Sequence, residues 1–328
     1  MKKNIKRILA GVCILGLIAS YMLPEMRIKA ASVQELGKLM DTYREKDGTF
    51  EFTTASRFYI VSDLEPSEEL IQTVQLASQQ FAADAKPSAA ILDIVWGPES
   101  WSKTGDIIVK LDPSSGIPEE GYALDVADQA EVIASDVDGL LYGLNMLHKC
   151  IRGYGNNLSG FFASDVPDTK ERTVMLDCAR KYYTKDWICN FIRQMSWMGY
   201  NTIQLHFSED GGFRADFWDP AYYKGDFNPE NDLTWLCGSH VQSWVKNPYR
   251  NDPDAGKYLT TAELVEILET AKEYHIDVVP SFDSPAHMDY ITWKFEQNYK
   301  ANPSYSFTYD GTTYTFTLPL SLKVGENR

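Results

Sequence analysis

The chain has 328 residues, 44% of them hydrophobic and 13% aromatic, with 31 basic against 46 acidic side chains and a formal net charge of −15. That mixture excludes a disordered chain and supplies enough apolar material for one large domain or two ordinary ones. An acidic balance of this size also excludes nucleic-acid binding, which needs basic side chains to neutralise phosphates.

Lys2, Lys3, Lys6 and Arg7 open the chain, and an uncharged, mostly apolar stretch from Ile8 to Leu23 follows. Ala30, Ala31 and Ser32 come shortly after. A basic start, an apolar stretch and small residues predict a secretory signal over residues 1–31. The stretch is shorter than the roughly 20 residues of a membrane span, so an uncleaved anchor is the alternative. Either way the protein is expected outside the cytoplasm, secreted or at the cell surface, touching a membrane only through that segment. Cys150, Cys178, Cys189 and Cys237 form no Cys-x-x-Cys pair, so neither a zinc site nor a redox motif is indicated. Export permits disulfides, whereas the apolar surroundings of Cys178 and Cys189 favour buried thiols.

Residues 32–49 read as a linker and residues 50–165 as an α+β domain. A strand is expected over 57–61. Ser67 then caps a helix over 68–85, with Leu70, Ile71, Val74, Leu76 and Phe81 near helical spacing. Strand-like runs follow at 90–96, 106–111, 122–126 and 131–134. Asp136 opens a helix with Leu140, Leu141, Leu144 and Leu147 on one face, ending near Gly153. No chemistry-bearing cluster appears, so this domain is expected to support.

Residues 166–328 alternate strand and helix. Strands are expected at 173–176, 202–207 and 277–282. Helices are expected at 185–198, capped by Thr184, and at 262–274, capped by Thr260 or Thr261. A long loop rich in Asp, Asn, Pro and Trp separates the second strand from the second helix. This rhythm predicts a parallel sheet, and near-continuous apolar strands predict one buried on both faces. Polar residues gather after each strand: Asp177 and Arg180, then Ser208, Glu209 and Asp210, then Asp283 and His287. Barrel enzymes place their chemistry at these carboxyl ends.

Three of these segments carry a family resemblance. Residues 172–183 (RTVMLDCARKYY), 201–214 (NTIQLHFSEDGGFR) and 279–287 (VPSFDSPAH) resemble, in order, the first three barrel-strand motifs of glycoside hydrolase family 20, the β-N-acetylhexosaminidases. The upstream domain, with Gly121-Tyr122 and the run from Gly139 to Gly143, resembles the non-catalytic α/β domain that precedes that barrel. The resemblance covers about residues 50–300, and the long loop 211–259 is similar to the bacterial branch that includes lacto-N-biosidase-like enzymes.

The resemblance implies a support domain followed by a (β/α)8 barrel. It also implies retaining hydrolysis in which the substrate's own 2-acetamido oxygen attacks the anomeric carbon. An adjacent Asp-Glu pair orients the acetamido group and supplies the general acid. The partner is an N-acetylhexosamine-containing oligosaccharide or glycoconjugate, and neither metal nor organic cofactor is required. Arg180 matches the arginine that binds the sugar's 3- and 4-hydroxyls, the alternative being a structural ion pair with Asp177. His287, Glu209, Asp210, Asp177 and Asp283 match a supporting polar network. Asp283 reads as a structural acceptor, and for His287 substrate contact and packing stay open. Where this chain has Glu209 the family usually has aspartate, and Asp210 is the alternative for that place.

The decisive departure from the family is that the chain contains no Asp-Glu dipeptide. That pair follows the fourth barrel strand, and residues 166–328 fall short of the roughly 250 residues of a complete barrel. The expectation is an amino-terminal fragment with about three barrel strands, inactive alone, from an exported bacterial enzyme. The rival readings are a non-catalytic carbohydrate-binding or remnant protein and a metal-dependent secreted hydrolase. A metal set of His206, Glu209, Asp210 and His287 is disfavoured because a continuous strand points His206 and Glu209 to opposite faces. Trp218, Trp235 and Trp244 either stack on sugar rings or pack a loop core.

Overall fold

A computed structural model describes residues 40–84, 92–222, 232–239, 254, 256–301, 305–309 and 311–316. The expected signal segment, residues 32–39 of the expected linker, and Trp244 lie outside the described residues. The chain divides into two compact units, Met1–Val166 and Pro167–Arg328. Among the described residues no helix is long and apolar enough to cross a membrane.

In the first unit, strands β1 (Thr42–Glu51), β2 (Phe58–Val61), β3 (Ile94–Gly97), β4 (Ile107–Leu111), β5 (Tyr122–Val126), β6 (Ala130–Ala134) and β7 (Asn157–Asp165) form one mixed sheet in the order β1-β7-β5-β6-β4-β2-β3. Helices α1 (Glu68–Asp84) and α2 (Val137–Tyr154) supply Leu70, Val74, Phe81, Leu140, Leu144 and Leu147 to a core shared with Phe58, Ile60, Ile107 and Val109. Asp136 caps α2, accepting the Gly139 amide at 2.7 Å. A Cβ at Gly139 would meet the Gly121 carbonyl oxygen at 2.2 Å, so only glycine lets α2 lie this close to the sheet.

Two strands depart from expectation. Residues 42–49 are not a linker: they form most of β1, which pairs antiparallel with β7. β1 is an edge strand whose only buried side chain is Phe50, and its register shifts between Glu45 and Thr49. Charges on an exposed edge discourage pairing with other chains and erase the alternation that marks a half-buried strand. β7, which the sequence reading passed over, lies inside the sheet between β1 and β5.

In the second unit, β8 (Thr173–Asp177), β9 (Thr202–His206) and β13 (Asp277–Ser281) form a parallel sheet with β9 in the middle. Helices α3 (Lys185–Trp197) and α4 (Thr261–Glu273) cover one face, packing Ile188, Ile192, Met195, Leu264 and Ile267 on Ile203 and Leu205. The other face is not buried as expected. Met175, Gln204 and Val279 share a register row, and Met175 is 56% and Val279 46% exposed. A closed barrel fills its interior with such rows, and three strands cannot close one. The unit is the first part of a (β/α)8 barrel. Between β9 and α4 lies a small antiparallel sheet of β10 (Ser208–Glu209), β11 (Gly212–Phe213) and β12 (Gly238–Ser239). Helix α5 (Asp289–Ala301) and a hairpin of β14 (Tyr305–Tyr309) and β15 (Thr312–Phe316) follow β13.

Cys150, Cys178, Cys189 and Cys237 are free and buried, not bridged. Burial pushes the thiols of Cys150, Cys178 and Cys237 up to about 12.

Candidate active site

The carboxyl ends of the three parallel strands carry the polar residues. β8 ends at Asp177, and the chain turns so that Arg180 folds back on it. The Arg180 amide donates to Asp177 Oδ1 at 3.0 Å and its Nη1 to Oδ2 at 2.6 Å. The amides of Cys178 and Ala179 both donate to the His206 carbonyl, at 2.9 and 3.0 Å, fixing this turn to the end of β9.

After His206 the chain leaves the parallel sheet. The Phe207 amide still bonds the Ser281 carbonyl at 3.0 Å, but Ser208 and Glu209 pair with β11 instead. Glu209 is only 3% exposed. Its Oε1 accepts from Arg180 Nη2, and its Oε2 lies 3.1 Å from His287 Nδ1 and accepts the Asp210 amide at 2.9 Å. Asp210 Oδ2 lies 3.5 Å from His287 Nδ1, and its Oδ1 accepts the Asp289 amide at 3.2 Å at the start of α5. His287 itself sits in the left-handed region, φ 56°, unusual for a non-glycine residue and a mark of a constrained position.

A second polar group lies beside the first. Asp283 Oδ2 is 3.4 Å from His206 Nε2, the His206 Nδ1 faces Ser281 Oγ at 3.0 Å, and the Asp283 amide donates to Ser208 Oγ at 2.8 Å. All the residues singled out from the sequence, Asp177, Arg180, Glu209, Asp210, Asp283 and His287, therefore gather at one end of the sheet. Burial disfavours the charged Arg180 guanidinium, but hydrogen bonds and charge from Asp177 and Glu209 outweigh that and raise its pKa.

The expected separation of His206 from Glu209 does not hold. His206, Glu209 and Asp283 bring ligand-type atoms within 4.8 Å of one another, as do Glu209, Asp210 and His287. Alternation applies along one strand, and here β9 ends at His206 and Glu209 belongs to β10 in another sheet. The donor set still fits a hydrogen-bonded network better than a dication. Glu209 already faces the Arg180 cation, which compensates its charge and would repel a metal at the same oxygens.

Arg214, the last residue of the second motif, has a supporting place that the sequence alone does not assign. Arg214, 1% exposed, donates from Nε to the Ala179 carbonyl at 3.0 Å and from Nη1 to the Asp254 and Lys257 carbonyls, each at 2.9 Å. The Ala179 carbonyl belongs to the peptide that leads into Arg180, so Arg214 pins the backbone beneath that side chain. A basic residue flanked by Phe213, Ala215 and Phe217 was the available signal. Trp218 stacks on Phe213 at 6.0 Å, and Trp235 packs edge-on against Phe295 at 5.1 Å. Both contribute to a loop core around Phe213, Leu236 and Tyr290.

Residues 170–324 match the catalytic domain of glycosyl hydrolase family 20, and residues 40–167 match domain 2 of the same family. Among curated relatives, the β-hexosaminidase of Vibrio furnissii is 26% identical over 56% of this chain and 29% of its own length. The N,N'-diacetylchitobiase of Vibrio harveyi is 27% identical over 58% and 22%. The lacto-N-biosidase of Bifidobacterium bifidum is 25% identical over 65% and 17%. The chain thus spans less than a third of these relatives. Among solved structures, the β-N-acetylhexosaminidase of Bacteroides fragilis aligns with a TM-score of 0.58 at 21% identity, covering 79% of this chain and 47% of that one. The Streptomyces coelicolor enzyme of family 20 aligns with a TM-score of 0.56 at 21% identity, covering 76% and 46%. At that identity the structural likeness speaks for the fold.

Proposed function

Because the chain belongs to glycoside hydrolase family 20, we propose that it carries the sugar-recognition part of a β-N-acetylhexosaminidase active site, as the amino-terminal portion of an exported bacterial enzyme. The observation that supports this most is Arg180, held from two sides by Asp177 and Glu209 at the carboxyl ends of parallel strands. A planar guanidinium fixed by two carboxylates keeps outward N–H groups in a rigid fork, which suits two neighbouring sugar hydroxyls. Asp177 and Glu209 orient that fork, while His287, Asp210, His206 and Asp283 form the polar floor beside it.

The reaction proposed for the complete enzyme is hydrolysis with retention, the substrate's 2-acetamido oxygen serving as nucleophile. The acid and acetamide-orienting carboxylates belong, in this reading, to an Asp-Glu pair on a later strand, and the chain taken alone is inactive. The substrate is a glycan ending in N-acetylglucosamine, N-acetylgalactosamine or lacto-N-biose. Lys2, Lys3, Lys6, Arg7 and the apolar stretch after them support export. The test extends the chain with the coding sequence downstream of Arg328 and measures release from chromogenic glycosides of those three sugars. Release of one of them supports the reading, and hydrolysis of none by a folded extended protein refutes it. The absence of an Asp-Glu dipeptide favours a second reading, a non-catalytic carbohydrate-binding protein. That reading predicts binding of N-acetylglucosamine without hydrolysis by the extended protein.

A further inference from the structure

We propose that the first unit carries a saccharide-binding subsite of its own, a shallow surface outside the carboxyl ends of β2 and β3 that takes the pyranose rings of a glycan chain; its ligand class rests on the reading of the protein as glycan-acting. The topology marks the place. β2 and β3 are parallel neighbours, and β4 lies parallel to β2 on its other side. From β2 the chain passes into α1, which packs on the core face of the sheet with Phe58 and Ile60. From β3 it has to cross β2 to reach β4. It crosses on the opposite face, where Tyr59 Oη donates to the Pro98 carbonyl at 2.8 Å. The chains leaving β2 and β3 thus part to opposite faces. In open sheets such a parting leaves a crevice outside the carboxyl ends of the strands, and ligands bind there.

Leu64, 79% exposed, follows β2 and Trp101, 67% exposed, follows β3. They are the two most exposed large apolar side chains among the described residues. Trp101 is not open because its loop is loose. Asp106 accepts from Arg57 at 2.9 and 2.6 Å and from the Lys103 amide at 2.8 Å. Gln129 Nε2 donates to Ser102 Oγ at 3.0 Å and to the Lys103 carbonyl at 2.8 Å. A Cβ at Gly97 would meet Trp101 Cε3 at 2.9 Å, so glycine lets the indole rest on the main chain. An indole this open keeps a face in water, and that area adds nothing to folding by burial. Its rigid frame does lower the ordering cost of a bound ring. Gly97 pairs with Val61, and Lys110 follows Val109, the partner of Ile60. Gly97, Val61 and Lys110 therefore share a row on the face where Trp101 lies. Lys110 Nζ donates to Glu99 Oε1 at 2.7 Å, in the same short turn as Trp101, Glu99–Trp101. A pyranose has a flat face of C–H groups and a rim of hydroxyls that donate and accept. The indole suits the face, and the Glu99–Lys110 pair suits the rim. A protein partner would need about 800 Å² of surface, and here an ion pair borders the apolar area.

The experiment titrates the whole chain with the tetramer of N-acetylglucosamine and follows the Trp101 indole N–H resonance, assigned by its loss in Trp101→Leu. Leucine still covers Gly97, and a melting curve checks that the variant folds. The resonance is expected to move both in wild type and in Arg180→Ala, because the subsite does not need Arg180. In the Arg180→Ala background, Trp101→Leu is expected to weaken the tetramer by about three- to tenfold, the loss of one stacked ring. A resonance that stays still at roughly 1 mM tetramer and above, or that moves only while Arg180 is intact, would overturn the proposal. So would a folded Trp101→Leu variant with unchanged affinity in that background. If the Trp101 resonance responds and Arg180→Ala leaves the total binding of tetramer unaltered, the subsite stands and the sugar-holding reading of Arg180 fails.

Discussion

Replacing Arg180 by lysine keeps the charge and removes the geometry. In the structure the guanidinium makes two separate charge-assisted contacts, Nη1 to Asp177 at 2.6 Å and Nη2 to Glu209. A lysine ammonium is one point on a flexible stem. It can keep the Asp177 contact or approach Glu209, but cannot hold both and still present a fixed pair of donors. One charge-assisted hydrogen bond is worth about 1.5–3 kcal/mol, and the side chain is 54% exposed, so the lower half of that range applies. The expected result is a fall in kcat/KM of roughly 10- to 50-fold. The assay is steady-state hydrolysis of a chromogenic N-acetylglucosaminide by the extended enzyme, with a melting curve to show that the variant folds. Unchanged kinetics in a folded Arg180→Lys variant would remove Arg180 from sugar recognition.

Arg214→Met removes a buried charge whose Nε and Nη1 serve three main-chain carbonyls, and should destabilise the barrel unit by about 3–5 kcal/mol, read as a lowered denaturant midpoint. A shift below about 1 kcal/mol would mean that water or other donors serve those carbonyls. Gly139→Ala should lower the stability of the first unit by about 1–3 kcal/mol despite alanine's higher helix propensity, because its Cβ would meet the Gly121 carbonyl oxygen at 2.2 Å. A neutral or stabilising effect in urea melts would show that α2 can move away from the sheet. Limited proteolysis of the chain, read by mass, should leave a core from the first unit and cut beyond β7, near residues 166–172, or within 211–259, because the barrel sheet leaves Met175 and Val279 exposed. Equal resistance of both units would contradict that account.

The parts of the fold legible in the sequence were those with a strong period and a stop signal. Helix α2 announced itself through the Asp136 cap and a leucine stripe, and β5 matched its expected bounds residue for residue. Strand β1 was illegible because its charges face solvent at a sheet edge. For the site, the gathering of the residues after each parallel strand was legible, since topology alone brings those ends together. Their pairwise contacts were not legible. The placing of Glu209 beside both Arg180 and His206 depends on Phe207 leaving one sheet for another, a change of ladder that no period records. Arg214 was hidden for the opposite reason: its partners are carbonyls, and main-chain acceptors leave no mark in a sequence.

The decisive experiment is turnover of a chromogenic N-acetylglucosaminide by the 328-residue chain alone, since the proposed function leaves it with sugar recognition but neither the acid nor the acetamide-orienting group. No hydrolysis above background is expected, with N-acetylglucosamine still bound. Turnover in the ordinary enzymatic range, roughly 1–1,000 per second, would contradict it and would make Glu209 and Asp210 the catalytic carboxylates.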